Sequence, residues 1–181
     1  MKKKMFAALM AALLMITCLV LTACGSPEQT GTTAGSSAAG AKVLSFTTTD
    51  MDGKEVTSKE IFGESKYTMV NCWASWCGPC VRELPEIEEM SKEFEKKGGR
   101  VIGILMDGGE AAGLAGGKDI IADTGVTYLN VIGNREINAA LRLKAYPTTF
   151  FVDSDGAIVG EAVIGAYTSR YISIMNGLLG E

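Results

Sequence analysis

The chain has 181 residues, 47% of them apolar and 21% charged, with a formal net charge of −4. Such a chain builds one domain with a real core, which excludes a disordered acidic polymer and a nucleic-acid binder that needs a basic face. Histidine is absent, so the chain's own side chains cannot form a Ser-His-Asp or Cys-His site, a His-containing zinc or copper site, or a His-ligated haem. Cysteine and carboxylate are left for chemistry, and the cysteines are Cys18, Cys24, Cys72, Cys77 and Cys80.

Lys2, Lys3 and Lys4 precede an apolar run from Met5 to Ala23, the pattern of a targeting segment that does not belong to the fold. Its end, Leu21-Thr22-Ala23-Cys24-Gly25, resembles the lipobox of bacterial lipoprotein signal peptides. That resemblance implies cleavage after residue 23, a lipid on Cys24, and an extracytoplasmic domain tethered to the bacterial cell membrane. An uncleaved membrane helix is the alternative, since the run approaches the roughly 20 residues that span a bilayer. Three of the 17 basic residues and none of the 21 acidic ones lie in the segment, which leaves 14 against 21 and a net charge of −7. Residues 25–41 are rich in Gly, Ser, Thr and Ala without apolar periodicity. With Cys24 they read as a lipidated flexible linker over 24–41, whose span is roughly 20–25 Å. The folded domain then runs from 42 to 181.

Val43 to Thr47 alternates like a strand, Asp50 to Gly53 is a turn, and Lys54 to Thr57 returns as an N-terminal β-hairpin. Tyr67 to Trp73 is a short apolar strand, followed by a Cys-rich turn and a helix over Pro79 to Lys97 that Gly98-Gly99 ends. Arg100 to Met106 is nearly all apolar, as a strand buried on both faces of a parallel sheet would be. Glu110 to Gly125 reads as a helical insertion weakened by Gly113, Gly116 and Gly117, and the stretch from Gly113 to Thr127 as a contributor to the client surface. A short strand at Tyr128 to Ile132 and a helix at Asn134 to Leu143 follow. Thr148 to Val152 and Ala157 to Val163 form a second hairpin, and Thr168 to Leu179 a closing helix. The fold class is α/β, a central mixed sheet flanked by helices.

Within Trp73-Ala74-Ser75-Trp76-Cys77-Gly78-Pro79-Cys80, two thiols in C-x-x-C spacing sit between a strand and a helix, with proline in the helix's first turn. Free N–H groups and the helix dipole stabilise a thiolate there, so Cys77 is the exposed nucleophile and Cys80 the resolving thiol. A zinc half-site would need a second ligand pair, and only Cys72 is at hand. A c-type haem signature would need histidine where Val81 stands. A structural disulfide remains an alternative, because export permits one.

NCWASWCGPC, Pro85, and Ala145-Tyr146-Pro147-Thr148-Thr149-Phe150-Phe151-Val152-Asp153 followed by Asp155-Gly156 resemble the thioredoxin superfamily. Within it, the match is to membrane-anchored extracytoplasmic thiol-disulfide oxidoreductases of the TlpA/ResA type, over about Val43 to Leu179. The resemblance implies a thioredoxin-like fold and a cis peptide bond before Pro147, with the Tyr146 backbone pairing to an extended substrate segment. It also implies that Glu83 tunes the thiols and relays a proton to or from Cys80, its pKa raised by burial. The alternative for Glu83 is a solvated first-turn acid complementing the helix dipole, the role given to Glu86, Glu88 and Glu89.

Asn71 stands where cytoplasmic thioredoxins carry a buried aspartate, and reads as a hydrogen-bonded structural residue. Cys72 reads as a small buried hydrophobe facing away from Asn71, although a thiol so near the pair could exchange with it. Trp73 belongs to the core and Trp76 to the substrate-facing surface, with Gly78 and Pro79 between the cysteines.

A Gly-Pro dipeptide resembles that of reducing thioredoxins, which implies a reductase of disulfides in exported clients. The family supplies such domains from a membrane-embedded thiol-electron transporter and uses them on apocytochrome c or methionine sulfoxide reductase. No metal, nucleic acid or cofactor beyond the redox-active disulfide is expected. A peroxiredoxin-like peroxidase, a copper-delivery protein and a non-catalytic lipoprotein binding module are the other readings.

Overall fold

The computed structural model describes residues 42–180. The targeting segment, Cys24 and the linker lie outside the described residues. Among the described residues no helix is long and apolar enough to cross a membrane.

Among the described residues twelve elements follow in chain order: β1 (Thr47–Thr49), β2 (Glu55–Thr57), α1 (Ser58–Gly63), β3 (Tyr67–Trp73), α2 (Gly78–Lys96), β4 (Gly99–Leu105), α3 (Ala111–Thr124), β5 (Asn130–Ile132), α4 (Arg135–Leu141), β6 (Thr148–Asp153), β7 (Val163–Ile164) and α5 (Thr168–Leu179). The main sheet has the order β5-β4-β3-β6-β7. β4 is parallel to both β3 and β5, while β6 is antiparallel to β3 and β7.

Side chains alternate across β3, and the two cores follow from that alternation. Met69 and Trp73 pack with Leu84, Ile87, Tyr171 and Met175 against α2 and α5. Val70 and Cys72 pack with Phe46, Phe62, Ile104 and Phe150 on the opposite face. Asn71 is therefore on the α2 and α5 face, and Cys72 points away from it.

The N-terminal hairpin forms with a later register than the alternation predicts, pairing Thr47 with Thr57 and Thr49 with Glu55. Its turn is tied by the Asp50 carboxylate, which accepts from the backbone N–H of Asp52 and of Lys54, each at 2.9 Å. Val43 to Phe46 alternates because Leu44 and Phe46 are buried: the Leu44 N–H donates to the Gly156 carbonyl at 2.8 Å in the turn after β6, and the Phe46 ring meets Phe62 of α1 edge to face. The second hairpin also differs: beyond a bridge at Val152 and Ile158 the return strand breaks, and only Val163–Ile164 rejoins the sheet. Gly160, at φ +70, makes the break.

The helical insertion carries a strand as well, since α3 leads through Gly125 into β5 at the sheet edge. Two of its glycines are there for close packing. A Cβ on Gly113 would lie 2.1 Å from the Asp107 carbonyl oxygen, and one on Gly117 would lie 2.4 Å from Leu105 Cδ2. Helix propensity gives way to the approach of α3 to the end of β4.

Candidate active site

β3 ends at Trp73, and a tight turn closed by Cys77 N–H to the Ala74 carbonyl (3.0 Å) delivers the chain to α2. Cys77 is the N-cap: its backbone is extended and its sulfur accepts the Cys80 N–H at 3.3 Å. Pro79 occupies the first turn, where no intrahelical N–H is needed. Cys77 and Cys80 form a disulfide. Cys77 is only 5% exposed, less open than an exposed nucleophile should be. As an N-cap, its side chain folds back over the helix end rather than out into solvent. Gly78 and Pro79 are exposed, and Trp76 is 70% exposed.

The Tyr146-Pro147 bond is cis. The Tyr146 ring meets the Trp76 ring edge to face at 5.7 Å, so the residue before Cys77 touches the residue before Pro147. Tyr146 also packs on the cluster that contains Cys77 and Cys80. Pro147 itself is buried, and its carbonyl accepts the Gly165 N–H at 2.8 Å.

Glu83 follows Cys80 by one helical turn and is 4% exposed. Burial raises its pKa to about 7, against the pull of hydrogen bonds from Asn71 and Tyr171. Asn71 Nδ2 donates to Glu83 Oε1 at 2.9 Å and to Thr149 Oγ1 at 3.1 Å, while Asn71 Oδ1 has no partner. Tyr171 of α5 reaches Glu83 Oε2 at 3.1 Å. The carboxyl is thus held from β3 and α5 at once, with Thr149 of β6 bonded to the Asn71 amide that holds it.

Glu88 does not share the solvated role of its neighbours. It is buried, and its carboxylate accepts from Thr127 N–H (2.8 Å) and Thr127 Oγ (2.6 Å) and pairs with Lys92 at 3.0 Å. Burial alone would raise its pKa, but these partners outweigh that and hold it below the ordinary value. Its position on the inner side of α2, facing the segment that enters β5, is the reason.

Asp107, just past β4, is a further residue of the site. Its carboxylate accepts from Ser75 N–H at 3.1 Å and from Ser75 Oγ at 2.6 Å, clamping the turn two residues before Cys77. Asn130 accepts from Trp73 Nε1 at 2.9 Å and fixes that indole in the core. These residues come from segments 32 and 57 positions from their partners, and no local spacing signals them. Cys72 is the one free cysteine among the described residues, and burial pushes its thiol far up in pKa.

The sequence profile of the AhpC/TSA family matches residues 39–160. The chain belongs to the AhpC/TSA family. This AhpC/TSA chain is 28% identical over 134 residues to thiol-disulfide oxidoreductase ResA of Bacillus anthracis, covering 74% of this chain and 73% of that one. It is also 28% identical over 134 residues to the thioredoxin-like protein YneN of Bacillus subtilis, covering 72% and 74%. A crystal structure of a thioredoxin-family thiol:disulfide interchange protein from Chlorobium tepidum TLS superposes with a TM-score of 0.66 at 26% identity, covering 80% of this chain and 100% of that one. StoA from Bacillus subtilis shares the fold, with a TM-score of 0.60 at 20% identity over 75% and 98%. The AhpC/TSA chain is a redox enzyme, a thiol-disulfide oxidoreductase built on the thioredoxin-like fold.

Proposed function

We propose that the protein reduces disulfides of exported client proteins, anchored to the outer face of the cell membrane by a lipid on Cys24. The carrying observation is the Cys77 sulfur at the N-cap of α2, receiving the Cys80 N–H at 3.3 Å. In the reduced protein that donor and the helix dipole stabilise a Cys77 thiolate. The thiolate attacks one sulfur of a client disulfide, forming a mixed disulfide and releasing the other client sulfur as a thiolate. Cys80 then gives its proton to Glu83 and attacks the Cys77 sulfur, so the second client sulfur leaves and Cys77-Cys80 closes. Two electrons pass to the client. A group titrating at about 7 takes and returns such a proton near neutrality.

Trp76, Gly78 and Pro79 offer the exposed surface beside the pair, and the backbone of Tyr146 before Pro147 pairs with an extended client segment. The Gly78-Pro79 dipeptide and the lack of histidine support the reducing direction. A membrane-embedded thiol-electron transporter would return the pair to the dithiol, and apocytochrome c or a methionine sulfoxide reductase fits as client. Residues 1–23 then act as signal peptide and 24–41 as the lipidated linker.

A Cys80→Ser variant should hold clients through a bond that dithiothreitol releases. Cys77→Ala should abolish insulin reduction, and Cys24→Ala should abolish lipid labelling. Capture of no client by Cys80→Ser, with Cys77→Ala as active as the unaltered chain, would overturn the reading.

A further inference from the structure

Tyr171 is fully buried in α5, and its hydroxyl stands between two acceptors. Glu83 Oε2 is at 3.1 Å and the Gly165 carbonyl oxygen at 2.7 Å. A phenol has one proton to donate. The backbone N–H of Tyr167 points at the same oxygen from 3.5 Å.

We propose that Tyr171 is a positioning residue that passes the ionisation state of Glu83 to the carbonyl of Gly165, the residue whose N–H holds the Pro147 carbonyl. The proposal rests on the reading of Glu83 as the proton acceptor and of Pro147 as part of the client-binding strand.

With Glu83 protonated, the carboxyl proton is donated to the Tyr171 oxygen and the phenol proton to the Gly165 carbonyl. Every donor and acceptor along that line is then used. With Glu83 ionised, the carboxyl proton has gone to solvent or to a thiolate, and the phenol proton turns to Oε2, leaving the Gly165 carbonyl without it. Tyr171 itself stays neutral throughout, burial having pushed its hydroxyl up to about 12. A bond to a carboxylate is about twice as strong as one between neutral groups. One such bond in the ionised arrangement therefore balances two neutral ones in the protonated arrangement, and neither is strongly preferred.

The far end of the line is fixed by geometry. Gly165 has φ +103, and a Cβ there would fall 2.8 Å from the Tyr167 ring, so only glycine fits. Its N–H donates to the Pro147 carbonyl at 2.8 Å. Other groups face Glu83: Asn71 from β3, Tyr128 ahead of β5 and Glu86 from α2 itself, while Thr149 from β6 bonds Asn71 and the Tyr171 hydroxyl. Among the described residues, Tyr171 is the side chain that hydrogen-bonds both Glu83 and Gly165.

The test is a carbon NMR titration of the oxidised full-length chain, in which neither Cys77 nor Cys80 titrates. The Gly165 carbonyl carbon and the Glu83 carboxyl carbon are followed from about pH 5 to about pH 9, a window around the ordinary-to-raised carboxyl range. The Gly165 signal is expected to shift with the midpoint of Glu83. It should stay flat in Tyr171→Phe, which keeps the ring, and in Glu83→Gln, which keeps the phenol. A flat Gly165 signal in the unaltered chain overturns the proposal, as does a Gly165 titration that persists in either variant. Should Tyr171→Phe fail to fold, Glu83→Gln decides. No free thiol takes part, so a failure to reduce clients leaves this titration untouched, and a failed titration leaves client reduction untouched.

Discussion

Asn71 Nδ2 donates to Glu83 Oε1 across 2.9 Å, and the two side chains are 0% and 4% exposed. A donor held against a buried carboxyl favours its charged form. Asn71→Leu removes that donor while filling the space. The Glu83 midpoint is expected to rise above about 7 by roughly one to two pH units, the worth of a bond to a charged group. The titration of the Glu83 carboxyl carbon in the oxidised protein checks this, and an unchanged or lowered midpoint would count against it.

Glu83 also ties stability to pH. Its folded pKa of about 7 lies above the ordinary 4.5 of the unfolded chain, chiefly because it is buried. Between those values the folded protein keeps a proton that the unfolded chain has released, so stability falls as pH rises through the window. The loss amounts to about 3 kcal/mol once pH exceeds the folded pKa. Urea denaturation of the oxidised protein on either side of the window should show this loss, and Glu83→Gln should remove most of it. A variant with the slope of the unaltered chain would refute the burial argument.

The clamp of Asp107 on Ser75 gives a graded expectation. Asp107→Ala frees both the Ser75 N–H and its hydroxyl, loosening the turn that presents Cys77, and should slow insulin reduction by about tenfold. Ser75→Ala keeps the backbone bond to Asp107 and should cost less. Equal losses in the two variants, or none, would show that the turn holds itself.

Cys72 lies five residues before Cys77, yet it is fully buried on the other face of β3, and its thiol is held protonated by that burial. With the protein reduced and folded, iodoacetamide should modify Cys77 before Cys80 and leave Cys72 unmodified until denaturant is added. Peptide mass mapping reads the order. Early modification of Cys72 would mean that β3 opens on the timescale of the reaction.

The Cys77 to Cys80 turn, the helix after it and the buried strands around it were legible because they rest on local patterns: spacing, a proline in the first turn, runs of apolar residues. α1 also carries a local mark, the capping box in which Thr57 and Glu60 satisfy each other's backbone N–H, but its 6 residues are too few to show a helical period. Gly113 and Gly117 misled for a physical reason, since they weaken a helix in isolation and permit its close approach in the fold. Glu88, Asp107 and Tyr171 could not be singled out, because each acts on a partner brought near only by the completed sheet.

The carboxyl beneath the cysteine pair is held by a tyrosine 88 positions further along the chain. A chain made from its N-terminus exposes Cys77, Cys80 and Glu83 well before the helix bearing Tyr171 exists. Until that helix packs, Glu83 lacks its Tyr171 partner, although the α2 N-terminus that faces Cys77 is already in the chain. The set of hydrogen bonds that grips Glu83 is therefore complete only once α5 has packed onto the sheet.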